Sequence, residues 1–365
     1  MEMEEEMGDP PSTSPATKFL FLCCQLGTEQ VCKQQIEARW PEFRFSFSRP
    51  GFLTYKVPQQ TGMAFDLENT YARTFGFAVD RVEGEDSDAL AEQVWARAVT
   101  DLPNHLHVWQ RDPRKVGESF EPFTTELTNR VVERLNGCRP AACKSIPVNS
   151  EASPNDRVLD CILVEENRWW IGEHRVSTTF QAWPGGVPPF KPKFDVISRA
   201  YYKTQEALLW SRLPIHAGDQ CVEIGSAPGG AAQALLEYKL KIIGIDPAEM
   251  DPSIAQHENY RHIRKRGRDV RRREFSDARW LFSDSNVTPK QSLDTIEDIV
   301  SHASVRVQGM LITLKMPEWK LAHELDNYLD RIRSWGYQYV KPRHLAFNRQ
   351  ELCIVAMRHR SLKRF

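Results

Sequence analysis

At 365 residues, with 41% apolar and 27% charged residues, the chain is long enough to bury two separate cores. It has no run of about 18 apolar residues, which excludes a membrane span. A net charge of −1 does not exclude a polyanionic partner, because charge distribution matters more than the sum. The first seventeen residues are acidic and rich in Pro, Ser and Thr, and they read as a disordered tail without a secretory signal. Eight cysteines are scattered without a repeating spacing and read as reduced thiols of a cytoplasmic protein. Cys138 and Cys143 could be two metal ligands, but no second pair accompanies them, so no metal is expected.

The predicted elements begin with an apolar strand, KFLFLCC (18–24), and a helix over 28–40 opened by Thr28. A strand pair over 43–57 follows, broken at Arg49-Pro50-Gly51. A second set comprises a helix through DALAEQVWARAV, a strand at HLHVWQR, a helix at FTTELTNRVVERL and a hairpin turning at Glu166-Asn167. Together they make an α+β region over 18–182, divisible into 18–75 and 76–182, with no visible catalytic constellation. WPGGVPPFKPKF (183–194) cannot continue a helix or a central strand and reads as a linker. From 195 to 365 the order becomes helix, buried strand, Gly-rich turn, helix, buried strand, the grammar of a doubly wound, mostly parallel α/β sheet of the Rossmann kind.

The turn lies in CVEIGSAPGGAAQALLEYKLKIIGID (221–246). Glu223 precedes it, and Gly225, Ser226, Ala227, Pro228, Gly229 and Gly230 let backbone approach a ligand closely. Asp246, about twenty residues on, can accept hydrogen bonds from two ribose hydroxyls. By itself this pattern says only that a nucleoside cofactor binds. The dinucleotide fingerprint G-x-G-x-x-G is not met, because the turn reads G-S-A-P-G-G.

The turn resembles the D/E-x-G-x-x-P-G-G motif of FtsJ-type, S-adenosylmethionine-dependent ribose methyltransferases, and the resemblance runs over 198–358. SRAYYKTQEAL (198–208) is similar to the family's opening S-R-[AS]-x-x-K-L-x-E helix, LFSDSN (281–286) to its fourth motif, GMLITLKMP (309–317) to the strand with its second lysine, and NRQELCIVAMR (348–358) to its last strand. The resemblance thus implies a catalytic tetrad of Lys203, Asp284, Lys315 and Glu351. It also implies that Asp284 touches the cofactor and that Asp269 accepts the adenine amino group.

The chemistry fits these residue types, because a ribose hydroxyl needs a group that takes or polarises its proton. Lys315 is the general-base candidate, on the expectation that the acids hold one lysine charged while burial lowers the proton affinity of the other. Asp284-Ser285-Asn286-Val287 lacks the prolines and aromatic ring that grip a flipped base, so oxygen is the favoured acceptor.

RHIRKRGRDVRRR (261–273) places Arg264, Lys265, Arg266, Arg268, Arg271 and Arg272 near the cofactor turn, where they can grip phosphates of an RNA strand. The whole resembles bacterial large-subunit ribosomal RNA cytidine 2′-O-methyltransferases, which implies a ferredoxin-like, THUMP-like RNA-binding region over 18–182. Transfer RNA, an mRNA cap or a protein as acceptor, and a non-catalytic RNA-binding protein, stay open as alternatives. No stable protein partner can be inferred from the sequence.

Overall fold

The computed structural model describes residues 18–63, 65–112 and 121–359. The acidic tail over 1–17 lies outside the described residues.

The first sheet is built from β1 (Lys18–Cys24), β2 (Arg44–Arg49), β3 (Phe52–Val57), β4 (Ala72–Glu83), β5 (His105–Gln110), β6 (Arg157–Glu165) and β7 (Arg168–Arg175). Its strand order is β2-β3-β1-β4-β7-β6-β5, antiparallel except where β5 runs parallel to β6. Helices α1 (Glu29–Arg39), α2 (Ser87–Thr100) and α3 (Glu126–Gly137) complete this unit. Strand β1 shows why the sheet is buried on both faces. Leu20, Leu22 and Cys24 point into one core with α1, and Phe21 and Cys23 into another with Phe52 and Trp109, following the two-residue period of a strand.

Two expectations change here. The division between 75 and 76 falls inside β4, which pairs with β1 through its first half and with β7 through its second. The Pro/Gly stretch is not a free connector in its first half, because Pro184, Gly185, Gly186 and Val187 are buried and Arg73 donates to the Gly185 carbonyl at 2.8 Å. Gly186 has φ +74°, and a Cβ there would lie 2.6 Å from the Arg73 carbonyl oxygen. The glycines serve close packing as much as turning.

The second sheet uses β8 (Gln220–Ile224), β9 (Lys241–Ile245), β10 (Tyr260–Ile263), β11 (Trp280–Ser283), β12 (Gly309–Lys315), β13 (Tyr339–Arg343) and β14 (Glu351–Met357) in the order β10-β9-β8-β11-β12-β14-β13. Its helices are α4 (Ala200–Ser211), α5 (Gly230–Glu237), α6 (Pro252–Ala255), α7 (Pro289–Val300) and α8 (Leu325–Ser334). Strands β8 to β12 are parallel, and β14 is antiparallel to both neighbours. The chain leaves β8 toward β9 and β10 and returns on the other side at β11, so a crevice opens at the carboxyl ends of β8 and β11. Among the described residues no helix is long and apolar enough to cross a membrane.

Candidate active site

The crevice is a cleft of about 650 Å³ lined by Gly225, Ala227, Asp246, Lys265, Arg266, Arg268 and Asp284, together with Ser285, Asn286, Gln291 and Thr295. Its floor is the turn after β8. Gly225 has φ +83°, and a Cβ there would sit 2.6 Å from the Asp284 carbonyl oxygen. Only glycine allows the two strand ends to approach this closely. Asp246 leaves β9 with its carboxylate accepting from the N–H of Ala227 at 3.2 Å and of Ala248 at 2.8 Å, which fixes it at the cleft wall.

Glu223 and Ser226 stand behind the cleft. The Ser226 hydroxyl donates to the Glu223 carboxylate at 2.6 Å and lies 2.8 Å from the Tyr260 hydroxyl. Burial pushes Glu223 up to about 8, against the Ser226 hydrogen bond. Pro228, Gly229 and Gly230 do not line the cleft; Gly230 begins α5.

Four side chains close a ring at the edge of this cleft. Lys203 comes from α4, Asp284 directly follows β11, Lys315 ends β12 and Glu351 begins β14. The antiparallel run of β14 is what brings a strand's first residue to the edge where the parallel strands end, and Lys315 sits directly opposite Glu351. Lys203 Nζ donates to Glu351 at 3.0 Å and also to Asp284. Lys315 Nζ donates to Asp284 at 3.1 Å and also to Glu351. Each lysine therefore meets both acids, in a half-buried ring of alternating charge.

The electrostatics correct the expected base. Burial alone would raise Asp284, but Lys203 and Lys315 outweigh it and hold the carboxyl below the usual aspartate range. Burial alone would lower Lys315, but Asp284 and Glu351 outweigh it and hold the ammonium above the usual lysine value. The expectation that burial frees one lysine of its proton fails for Lys315, because two carboxylates face it.

The basic stretch is divided in its uses. Lys265, Arg266 and Arg268 line the cleft, and Arg271 is exposed. Arg264 pairs with Glu249 at 3.3 Å, while Arg272 donates to the Val270 carbonyl at 2.6 Å and pairs with Asp298. Asp269 is not brought to the cleft; it ends a three-ten turn over Gly267–Asp269, with its carboxylate 3.7 Å from Arg268. Cys143 is buried and Cys138 half-buried, and no cluster of metal-ligating side chains occurs among the described residues.

Glu206 falls on the last position of the motif matched by SRAYYKTQEAL, but sequence reasoning gave it no role. It is buried on α4 and accepts from the N–H groups of Ala346 and Phe347 at 2.8 and 2.9 Å. Its signal was an acid three residues after Lys203, on the same helix face.

Residues 196–325 match the family described as FtsJ-like methyltransferase. The chain is similar to ribosomal RNA large subunit methyltransferase M of Aromatoleum aromaticum, 24% identical over 376 residues, covering 94% of this chain and 97% of that one. The protein of the same name from Thauera aminoaromatica is 24% identical, over 83% of this chain and 84% of its own. That from Azotobacter vinelandii is 28% identical, over 42% and 44%. With the cleft at the switch point and the Gly-rich turn beneath it, the match of residues 196–325 to an FtsJ-like methyltransferase fits the site, and the chain is an S-adenosylmethionine-dependent methyltransferase.

Proposed function

We propose that this protein transfers a methyl group from S-adenosylmethionine to a ribose 2′-hydroxyl of large-subunit ribosomal RNA, a cytidine being the target nucleoside. The observation that carries the reading is the Lys203-Asp284-Lys315-Glu351 ring at the cleft edge. The similarity to ribosomal RNA methyltransferases supplies the RNA class.

The residues present fit the cofactor. Asp246 offers a carboxylate suited to ribose hydroxyls, and Gly225 and Ala227 of the turn line the cleft beside it. When bound, S-adenosylmethionine supplies a methyl group activated by a sulfonium. The ring residues do the rest. Lys203 and Lys315 hold the hydroxyl oxygen through N–H donation, and Asp284 and Glu351 orient both ammonium groups. Lys315 enters as an ammonium, acts as a base only after giving one proton to solvent, and then takes the hydroxyl proton as the 2′-oxygen gains the methyl group. Desolvation by RNA and a cationic neighbour in the loaded site both favour that loss. Lys265, Arg266 and Arg268 offer charge to a phosphate or to the cofactor, and the α+β unit over 18–182 would grip folded RNA by shape and phosphate contacts.

The test is transfer of labelled methyl from S-adenosylmethionine to deproteinised ribosomal RNA, transfer RNA and capped mRNA, comparing wild type with Lys315→Ala. The expected result is label in ribosomal RNA, recovered as an alkali-resistant 2′-O-methyl dinucleotide. The variant should be slower by about 10²- to 10⁴-fold. Label on a base, or equal rates for both proteins, overturns the reading; label in another RNA moves the substrate.

A further inference from the structure

Glu351 reaches the ring on a turn, residues 344–350, and that turn is held from outside by polar side chains. Glu206 of α4 accepts from the N–H groups of Ala346 at 2.8 Å and Phe347 at 2.9 Å. Arg199, at the start of the same helix, donates to the Phe347 carbonyl at 3.1 Å. From the first unit, Gln25, just past β1, donates to the carbonyls of Leu345, Ala346 and Asn348 at 2.7, 3.2 and 3.2 Å. Arg343 donates back to the carbonyls of Ala72 and Arg73 on β4, and the His344 N–H to the Thr70 carbonyl at 2.9 Å. Inside the turn, Asn348 donates to the Glu351 carbonyl at 3.2 Å.

A buried acid is costly unless its oxygens are used. Glu206 is 1% exposed and forms no ion pair among the described residues. Burial pushes it up to about 7, against the two backbone N–H donors and the nearby charges of Arg343 and Arg73. An aliphatic side chain would fill the same volume without that cost. What the carboxyl adds is a two-point hold on the turn. Lys203 and Glu206 are three apart on α4 and so share a face. One helix thus supplies a ring member and the anchor for the strand that supplies another.

We propose that Glu206 is a positioning residue that acts through Glu351, fixing the 345–348 turn so that the Glu351 carboxylate meets both lysines, and that Gln25 makes the first unit part of the same fixture. Its rate consequences rest on the methyl-transfer reading above; its electrostatic consequence does not.

The test follows the full-length chain with isotope-labelled lysine side chains, titrating Lys315 by NMR alongside methyl transfer. In Glu206→Gln the amide keeps one acceptor and loses the other. Lys315 is expected to titrate at lower pH than in wild type, because Glu351 no longer holds its proton. The turnover rate is expected to fall about 10- to 100-fold, as for a small misplacement of a reacting group, with KM for RNA within about twofold. Gln25→Ala, far along the chain from the ring, is expected to shift both readouts the same way by less.

In a Glu351→Gln background neither substitution should add anything, because the group they act through is gone. An unchanged Lys315 titration in folded Glu206→Gln, or full effects persisting in the Glu351→Gln background, overturns the proposal. If Glu206→Gln does not fold, Gln25→Ala decides by the same two criteria. If wild type labels no RNA, the functional reading fails while the Lys315 titration still decides this one.

Discussion

Asp284 shows how the ring ties stability to pH. Its carboxyl titrates below the ordinary aspartate value, because Lys203 and Lys315 outweigh the cost of burial. A depressed folded-state value means that its contribution is present above the unfolded value and is lost as pH falls through the folded one. Lys315 has the opposite sign: its contribution is complete below the usual lysine value and is lost as pH rises beyond the folded one. Asp284→Asn is therefore expected to flatten the acid side of a plot of unfolding free energy against pH, measured by urea titration between about pH 6 and pH 3. A variant whose acid limb runs parallel to wild type would show that Asp284 carries no such linkage. The four ring residues were legible in the sequence through the resemblance, because each lies in a segment similar to one of the family's motifs. Their protonation was not, since it depends on Lys315 facing two carboxylates that lie 31 and 36 residues away in sequence.

At the scale of elements, the turn after β8 makes the sharpest demand on residue type. Gly225 combines φ +83° with a Cβ position that would strike the Asp284 backbone, so alanine there must both strain and displace. The positive φ alone costs roughly 1–2 kcal/mol for a residue with a Cβ. Pushing the Asp284 backbone outward then distorts the cleft and the ring together. Gly225→Ala is expected to lower thermal stability and to weaken S-adenosylmethionine binding at least about tenfold by calorimetry. Near-normal affinity would mean that the cleft relaxes around the methyl group. The βαβ grammar made this turn readable, because strand, Gly-rich turn and helix follow one another locally. The same reading treated 183–194 as a connector. Composition reports that Pro184, Gly185 and Gly186 must turn, but not that the turn is packed against Arg73. Asp269 shows the same limit, since one three-ten turn decides whether its carboxylate reaches the cleft.

For the whole molecule, the central question is how an α+β unit and a methyltransferase domain come to share one core. Tyr71, between β3 and β4, packs edge-on against Trp319 with ring centroids 5.8 Å apart, and both rings meet His344 at the start of the turn leading to Glu351. A single apolar cluster runs from Leu20 and Tyr55 through Tyr71 to Ile312 and Leu325. Nothing in the local pattern announces such a seam, because an aromatic residue next to a strand reads as core of its own unit.

The seam separates two effects at one position. The Tyr71 ring is buried, so Tyr71→Ala removes an aromatic side chain from a packed site and is expected to cost about 3–5 kcal/mol. Its hydroxyl is buried with no hydrogen-bond partner among the described residues, so Tyr71→Phe discards a desolvated polar group and keeps the packing. That variant is expected to be neutral or slightly more stable than wild type in chemical denaturation. If Tyr71→Phe instead lost stability comparable to Tyr71→Ala, the hydroxyl would have a partner in solution, and the seam would be held by polar contact rather than by ring packing. If Tyr71→Ala cost under about 1 kcal/mol, the two units would be stable without this contact, and the Glu351 turn would be held by its polar contacts to Gln25, Arg199, Glu206 and the Thr70–Arg73 backbone.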